Sequence, residues 1–233
     1  ALLTKEVYLS LFAGCALGAL LVAEFHPWVH QIKTPIAAMR LTLQPDDTPN
    51  ARRLMSQLLR IEQYVDMVLM YLRLDEGTSD YVIRACDLDG IIRQSLRKFA
   101  GEFIDRRLTL HYEPLHLSVV TDEKWLGFVV EQVLSNALKY TPEGGSITID
   151  AEAPATLCIR DTGIGITAED LPRIFDRGYT GRNGRTYRQA SGIGLYLCRR
   201  ICRDLGHTIT ASSAAGEGTV LRLDLSRRTG PLE

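Results

Sequence analysis

Two kinds of hydrophobic spacing divide the chain. From Val29 the apolar positions run Val29, Ile32, Ile36, Met39 and Leu43, in steps of three and four that lie along one helix face. The stretch QPDDTPN, residues 44–50, concentrates proline and aspartate and cannot continue that helix. The same spacing then resumes through Leu54, Leu58, Ile61, Val65, Val68 and Leu72. Two heptad helices joined by a short loop predict an antiparallel hairpin. One hairpin cannot bury both seams, so pairing of two chains into a four-helix bundle is the natural completion.

After EGTSD, residues 76–80, the period shortens and strands alternate with helices. The pattern predicts strands over residues 81–86, 108–112, 117–120, 146–152, 156–161, 207–212 and 219–225, and helices over 88–104, 123–140 and 193–205. A glycine-rich irregular segment separates residue 161 from about residue 191. The expected class is α+β: a helical hairpin, then an α/β sandwich whose sheet is covered on one face by helices. The expected divisions are an N-terminal helix or membrane segment over 1–25, the hairpin over 26–75, the sandwich over 80–228 and a tail over 229–233.

Residues 7–23 carry no charge, and at 17 residues they are at the short end of a membrane span. Gly14 and Gly18 have the small-xxx-small spacing that helices in lipid use for close packing, whereas Ser10 and several alanines also fit a buried bundle helix. A chain that begins with alanine reads as a fragment or a processed product, and no folded sensing segment precedes the apolar run. Hydrophobic residues make up 45% and charged residues 24%, enough to bury a core. The net charge of −1, without a long basic run, speaks against nucleic acid as a partner. Five scattered cysteines, an odd number, point to a reducing compartment. Cys198 and Cys202 are four apart on a predicted helix, but no matching pair elsewhere completes a metal set.

Three local signals carry chemistry. Asn136, in NALKY, sits among Val133, Leu134, Ala137 and Leu138; it is either a helix-surface amide or an oxygen ligand for Mg²⁺. DTGIGI, residues 161–166, places a carboxylate at a strand end, able to accept from an exocyclic amine, beside glycines that allow close backbone approach. SGIGL, residues 191–195, opens a helix with N–H groups suited to phosphate oxygens. The loop between them, IFDRGYTGRNGRTYRQA, has the makeup of a mobile cover. Arg177, Arg182, Arg185 and Arg188 read mainly as solvated loop charges, with phosphate neutralisation as the alternative.

In this order and spacing the signals resemble the two-component sensor histidine kinases over roughly residues 26–226. NALKY is similar to the family's N box, DTGIG to its G1 box, IFDRGYTG to its F box and SGIGL to its G2 box, while WVHQIKTP is similar to the H box. RGYTGRNGR resembles the intramembrane-sensing branch associated with antimicrobial-peptide transporters. The resemblance implies a Bergerat ATP-binding fold, a homodimeric phosphoacceptor bundle, and ATP and Mg²⁺ as cofactors. It implies partners too: the receiver domain of a response regulator and an ABC-type peptide transporter. A bacterial inner-membrane location follows, with the catalytic part facing the cytoplasm. Asn136 would correspond to the magnesium ligand and Asp161 to the adenine-recognising carboxylate, with Lys139 and Tyr140 beside the nucleotide. Gly163, Gly165, Gly192, Gly194 and Leu195 would frame the lid, Phe175 would anchor its start, and AGEGT, residues 215–219, would be a structural turn.

His30 lies just off the heptad seam and can project from a bundle while its neighbours pack. Alone it reads as an ordinary surface histidine; with an ATP site downstream it reads as the phosphoacceptor, a ring largely neutral at pH 7 and so nucleophilic. Pro35 removes the helical partner of the Gln31 carbonyl and allows a bend. Thr34, four residues after His30, shares its face, and the resemblance gives it the task of positioning water during dephosphorylation of the regulator, with Lys33 near phosphate or acid groups. One departure stands out. The family usually has an acid after the histidine, whereas here Gln31 can orient the ring but cannot take its proton. That keeps a second reading open, a nucleotide-binding phosphatase-only regulator or scaffold without autokinase activity.

Overall fold

A computed structural model describes residues 31–46, 48–75, 81–181 and 191–226. His30, Val29, residues 7–23, Arg182, Arg185, Arg188 and the tail fall outside them. The chain divides into two compact units, Ala1–Ser79 and Asp80–Glu233.

In the first unit, helix α1 is described over 31–43 and continues through Pro35, and helix α2 spans Pro49–Asp75. Thr48 starts α2: its hydroxyl accepts from the Ala51 N–H at 3.2 Å, and Pro49 takes the first helical position, where no N–H is needed. Ion pairs Lys33–Asp66 (2.6 Å) and Arg40–Glu62 (3.6 Å) run in opposite directions along the two helices, which are therefore antiparallel. Ile36, Leu58, Val65 and Leu69 form the buried core, with Leu43 packed against it. The heptad reading needs one correction here. Ile32, Met39, Leu54, Ile61 and Val68 are exposed, and Leu69 rather than Val68 turns inward. A helix of 3.6 residues per turn drifts across a 3.5-residue seam, so the intra-hairpin contact takes one edge of the stripe and leaves the other edge bare.

The second unit contains β1 (Arg84–Asp87), α3 (Leu88–Asp105), β2 (Thr109–Tyr112), β3 (Ser118–Thr121), α4 (Glu123–Tyr140), β4 (Ser146–Glu152), β5 (Thr156–Asp161), α5 (Gly194–Asp204), β6 (Thr208–Ala214) and β7 (Gly218–Asp224). The main sheet has five strands in the order β2-β4-β5-β7-β6, and β1 pairs with β3 separately. β2 runs parallel to β4; the other pairings are antiparallel. Ile147, Ile149, Leu157, Ile159, Leu221 and Leu223 are buried and alternate along their strands with the charged Asp150, Glu152, Arg160 and Arg222. α4 lies over β5 with α3 on one side and α5 on the other, and α5 rests on β6. The helices bury Phe99, Leu126, Val129, Val133, Leu134, Leu197 and Ile201, with Cys198 and Cys202 acting as small apolar side chains. Burial pushes the Cys202 thiol up to about 12.

Aspartates set the helix starts. Asp87 accepts from the N–H groups of Asp89 and Gly90 to cap α3, and Asp122 accepts from Lys124 and Trp125 to cap α4. The first predicted strand of this unit starts late, at Arg84 rather than residue 81. Tyr81 instead stacks against Trp125 at 5.1 Å between ring centres, and the Val82 N–H goes to the Asp122 carboxylate at 2.7 Å. With its amide taken by a side chain, that segment cannot extend the ladder.

Candidate nucleotide site

The candidate site is built where the loop after β5, backed by the β6–β7 turn, meets the C-terminal end of α4. Asn136 and Tyr140 are one turn apart on α4, hence on one face, and Lys139 holds its ammonium 5.0 Å over the Tyr140 ring. The helix end is capped: Arg106, from the end of α3, donates to the carbonyls of Leu138 and Thr141. Those carbonyls would otherwise lack helical partners.

Asp161 ends β5 and points its carboxylate back over its own turn. Its Oδ1 accepts from the Gly163 N–H at 2.8 Å and the Thr219 N–H at 3.2 Å. Burial pushes this carboxyl above its ordinary value, and the two amides oppose the rise. The following loop docks on α4 through the Ile164 N–H and the Tyr140 carbonyl, 3.1 Å apart. It docks on the β6–β7 turn through the Gly216 N–H and the Ile164 carbonyl, 2.8 Å apart. Gly165 has φ +67°, and a Cβ there would lie 1.9 Å from the Ala214 carbonyl oxygen, so no other residue fits. Gly163 is buried in the same turn, against Asp161 and Tyr140.

Gly192, Gly194 and Leu195, expected to frame a lid together with Gly163 and Gly165, lie where the Gly178 segment meets the start of α5. The Gly178 N–H donates to the Gly192 carbonyl at 2.9 Å, tying the two described ends of the loop together. Gly194 opens α5, Leu195 lies in its first turn, and Ser191 accepts from the Ile193 N–H at 3.3 Å. Phe175 sits half-buried beneath the Arg199 guanidinium, 5.8 Å from the ring centre. In the other unit Gln31 and Thr34 are exposed on α1, and Lys33 is engaged by Asp66.

Ser213 was not foreseen. Its hydroxyl accepts from the Ile166 N–H at 2.8 Å, donates to the Gly218 carbonyl at 2.6 Å and lies 3.0 Å from the Thr219 hydroxyl. It thereby locks the DTGIGI loop to the turn that supplies the Thr219 amide. The signal was present: Ser213 shares the inward-facing alternation of Ile209 and Ala211 on β6, where a hydroxyl needs a partner. Arg106 had no such signal.

The half-buried Asp161 carboxylate, the Asn136 amide one turn before Tyr140 on α4 and the glycine-built loops lie together at one end of the second unit. Residues 121–229 match the family described as histidine kinase-, DNA gyrase B-, and HSP90-like ATPase, and the chain carries an ATPase domain of that family. It is 34% identical over 210 residues to the sensor histidine kinase YxdK of Bacillus subtilis (strain 168), spanning 86% of this chain and 63% of that protein. Sensor protein BceS of Halalkalibacterium halodurans is 32% identical over 200 residues, spanning 84% of this chain and 60% of the relative. The Acinetobacter baumannii histidine kinase AdeS shares the fold, with a TM-score of 0.58 at 18% identity, covering 85% of this chain and 98% of that one. Over most of its length the chain is similar to two-component sensor histidine kinases. It spans 63% and 60% of the lengths of the two curated relatives. Among the described residues no helix is long and apolar enough to cross a membrane.

Proposed function

We propose that this chain is the kinase part of a sensor protein that transfers the γ-phosphoryl group of Mg-ATP to His30 and then to an aspartate of a response regulator, and that it also dephosphorylates that regulator. The observation that carries the reading is the convergence at Asp161: the N box helix, the G1 loop and the AGEGT turn are joined by backbone bonds around one half-buried carboxylate. On this reading Asp161 accepts from the exocyclic amine of adenine. Tyr140 and Lys139 flank the nucleotide, and Gly163, Gly165, Phe175, Gly192, Gly194 and Leu195 shape the enclosure.

The donor chemistry fits a magnesium ion, which takes oxygen ligands and leaves most positions to water and phosphate. Asn136 offers one half-buried amide oxygen on the face it shares with Tyr140. When bound, the ion offsets negative charge on the phosphates. In the transfer a nitrogen–phosphorus bond forms at the imidazole of His30 while the bond from the γ-phosphorus to the bridging oxygen breaks and ADP leaves. Gln31 orients the ring, and Thr34 positions water in the phosphatase direction.

The bare apolar edge of the hairpin supports a homodimer: Ile32, Met39, Leu54, Ile61 and Val68 are each more than 40% exposed. The relationship to BceS supports a membrane-bound protein that works beside an ABC-type peptide transporter, with residues 7–23 as its membrane segment and the catalytic part in the cytoplasm.

The test is incubation of the purified chain with γ-labelled Mg-ATP alongside His30→Ala and Asn136→Ala. The expected result is acid-labile, alkali-stable label that is absent from both variants. Label persisting in His30→Ala would move the acceptor elsewhere. Nucleotide binding with no label in the unaltered chain would favour the phosphatase-only or scaffold reading.

A further inference from the structure

Asp170 is a carboxylate only 8% exposed in a segment no motif accounts for. It follows the G1 loop and is held there by the Thr167 carbonyl and hydroxyl, which accept from its N–H at 3.1 and 3.3 Å. Its Oδ1 accepts from the Tyr179 hydroxyl. Its Oδ2 lies 3.1 Å from where a Cβ on Gly181 would sit, so the Gly181 backbone passes directly over the carboxylate. The Tyr179 ring is covered on one side by Arg173, whose guanidinium lies 4.2 Å from the ring centre. Arg173 is in turn oriented by Asp176 at 3.6 Å.

Tyr179 is also the residue after Gly178, whose N–H closes the base of the loop on the Gly192 carbonyl. That closure is tight. Gly192 has φ +67°, and a Cβ on it would fall 2.4 Å from the Gly178 carbonyl carbon. Backbone that must leave such a pinch in one direction needs a second fixed point, or residues 179–181 can swing about the Gly178–Gly192 bond. The phenol of Tyr179, gripped by a buried carboxylate and stacked under an arginine, supplies it.

We propose that Asp170 is a positioning residue for nucleotide binding. Through Tyr179 it fixes the backbone of residues 178–181 in the shape that encloses the phosphates, so the ordering cost is met before the ligand arrives. This rests on the nucleotide-site reading above. It assigns to Asp170 and Tyr179 a role in affinity, with no contact to the ligand.

The test compares Tyr179→Phe, which keeps the ring and its arginine, with Asp170→Ala and Asp170→Asn, whose amide oxygen can still accept the phenol proton. Tyr112→Phe is the control. It removes another phenol–carboxylate bond, to Asp89, away from the site. Binding of Mg-ATP is read by calorimetry, and the ATP dependence of labelling gives KM and kcat. Deleting a hydrogen bond to a charged group predicts Kd and KM raised about tenfold in Tyr179→Phe and Asp170→Ala, with kcat within about twofold of the unaltered chain. Asp170→Asn should recover much of the affinity, and Tyr112→Phe should match the unaltered chain. Amide exchange over residues 178–181 without nucleotide should quicken in Tyr179→Phe and Asp170→Ala but not in Tyr112→Phe. Unchanged affinity in Tyr179→Phe, or an equal loss in Tyr112→Phe, overturns the proposal and leaves the kinase reading standing. An unaltered chain that binds no Mg-ATP sinks both.

Discussion

The Asp161 carboxylate and the Thr219 backbone N–H, fifty-eight residues apart in the chain, lie 3.2 Å apart at the end of β5. The β5–β7 register places Thr219 opposite Asp161, so the ladder itself brings the amide to the carboxylate. One oxygen, Oδ1, receives both backbone donors, and Oδ2 is the oxygen that the proposed contact with an adenine amine would use.

Asp161→Asn should therefore fold, because an amide oxygen can still accept the Gly163 and Thr219 protons. It should nevertheless lose Mg-ATP affinity by about ten- to a hundredfold, the usual value of a hydrogen bond to a charged group. Burial raises the Asp161 pKa above the ordinary 3.8, so on acidification affinity starts to fall at a higher pH than an exposed aspartate would cause. The same shift has the opposite sign for stability: a raised folded pKa favours the fold at low pH, and that contribution is lost as pH rises through it. Calorimetric titrations from neutral pH downward check both points. An Asp161→Asn chain with wild-type affinity would remove this residue from the site.

Asp89 gives the contrasting case. Burial pushes its carboxyl up, but the Tyr112 hydroxyl and the Leu115 and His116 amides bring it below the ordinary 3.8. A lowered folded pKa means stability that is present above about pH 4 and disappears as pH falls through the folded value. Asp89→Asn should lower the stability of the second unit at pH 7 and flatten its dependence on pH in the acid range. Denaturant midpoints measured across that range decide it; parallel curves for the two chains would rule out Asp89 as the source.

Gly165→Ala tests the loop packing. A methyl group 1.9 Å from the Ala214 carbonyl oxygen, on a residue with φ +67°, must displace the β6–β7 turn or the G1 loop. The expected cost is about 2 kcal/mol or more, seen as a lower thermal midpoint. Because the same turn carries the Thr219 amide, nucleotide affinity should fall with it.

Most of the second unit was legible because its signals are local. α4, β4 and β5 have the bounds that periodicity predicts, each with a strong alternation and, for α4, an aspartate cap. The misreadings lie where a remote group decides. Residues 81–83 alternate like a strand, but Trp125 and Asp122 claim Tyr81 and Val82. β6 runs two residues past its expected end because Ser213 and Ala214 find partners in Thr219 and Gly218. The Asp170–Tyr179 bond and the Arg106 clamp join segments whose proximity no spacing rule reveals.

Gln31 should limit the rate of labelling. It stands exposed at the first described position of α1, and its amide cannot accept a proton as a carboxylate does. A carboxylate there can take the imidazole proton, and general-base help is typically worth about 10²–10⁴-fold. Gln31→Glu should speed initial labelling of His30 at saturating Mg-ATP without changing KM. No gain in rate would show that proton removal is not limiting.

The hairpin makes the last prediction. Leu58 and Ile61 lie three residues apart on α2, yet Leu58 is 7% exposed and Ile61 45%. Leu58 belongs to the core within one hairpin, whereas Ile61 and Val68, a heptad apart, stand on the bare edge with Ile32, Met39 and Leu54. Leu58→Ala should therefore destabilise the hairpin itself, by about 2–5 kcal/mol, and lower the helix signal on mild heating. Ile61→Asp and Val68→Asp should leave each hairpin folded but place two buried charges at a dimer seam, which is costly. Light scattering should find monomers with retained helical circular dichroism. If the two aspartate variants remain dimeric, the partner chain docks elsewhere and the exposed edge serves another contact.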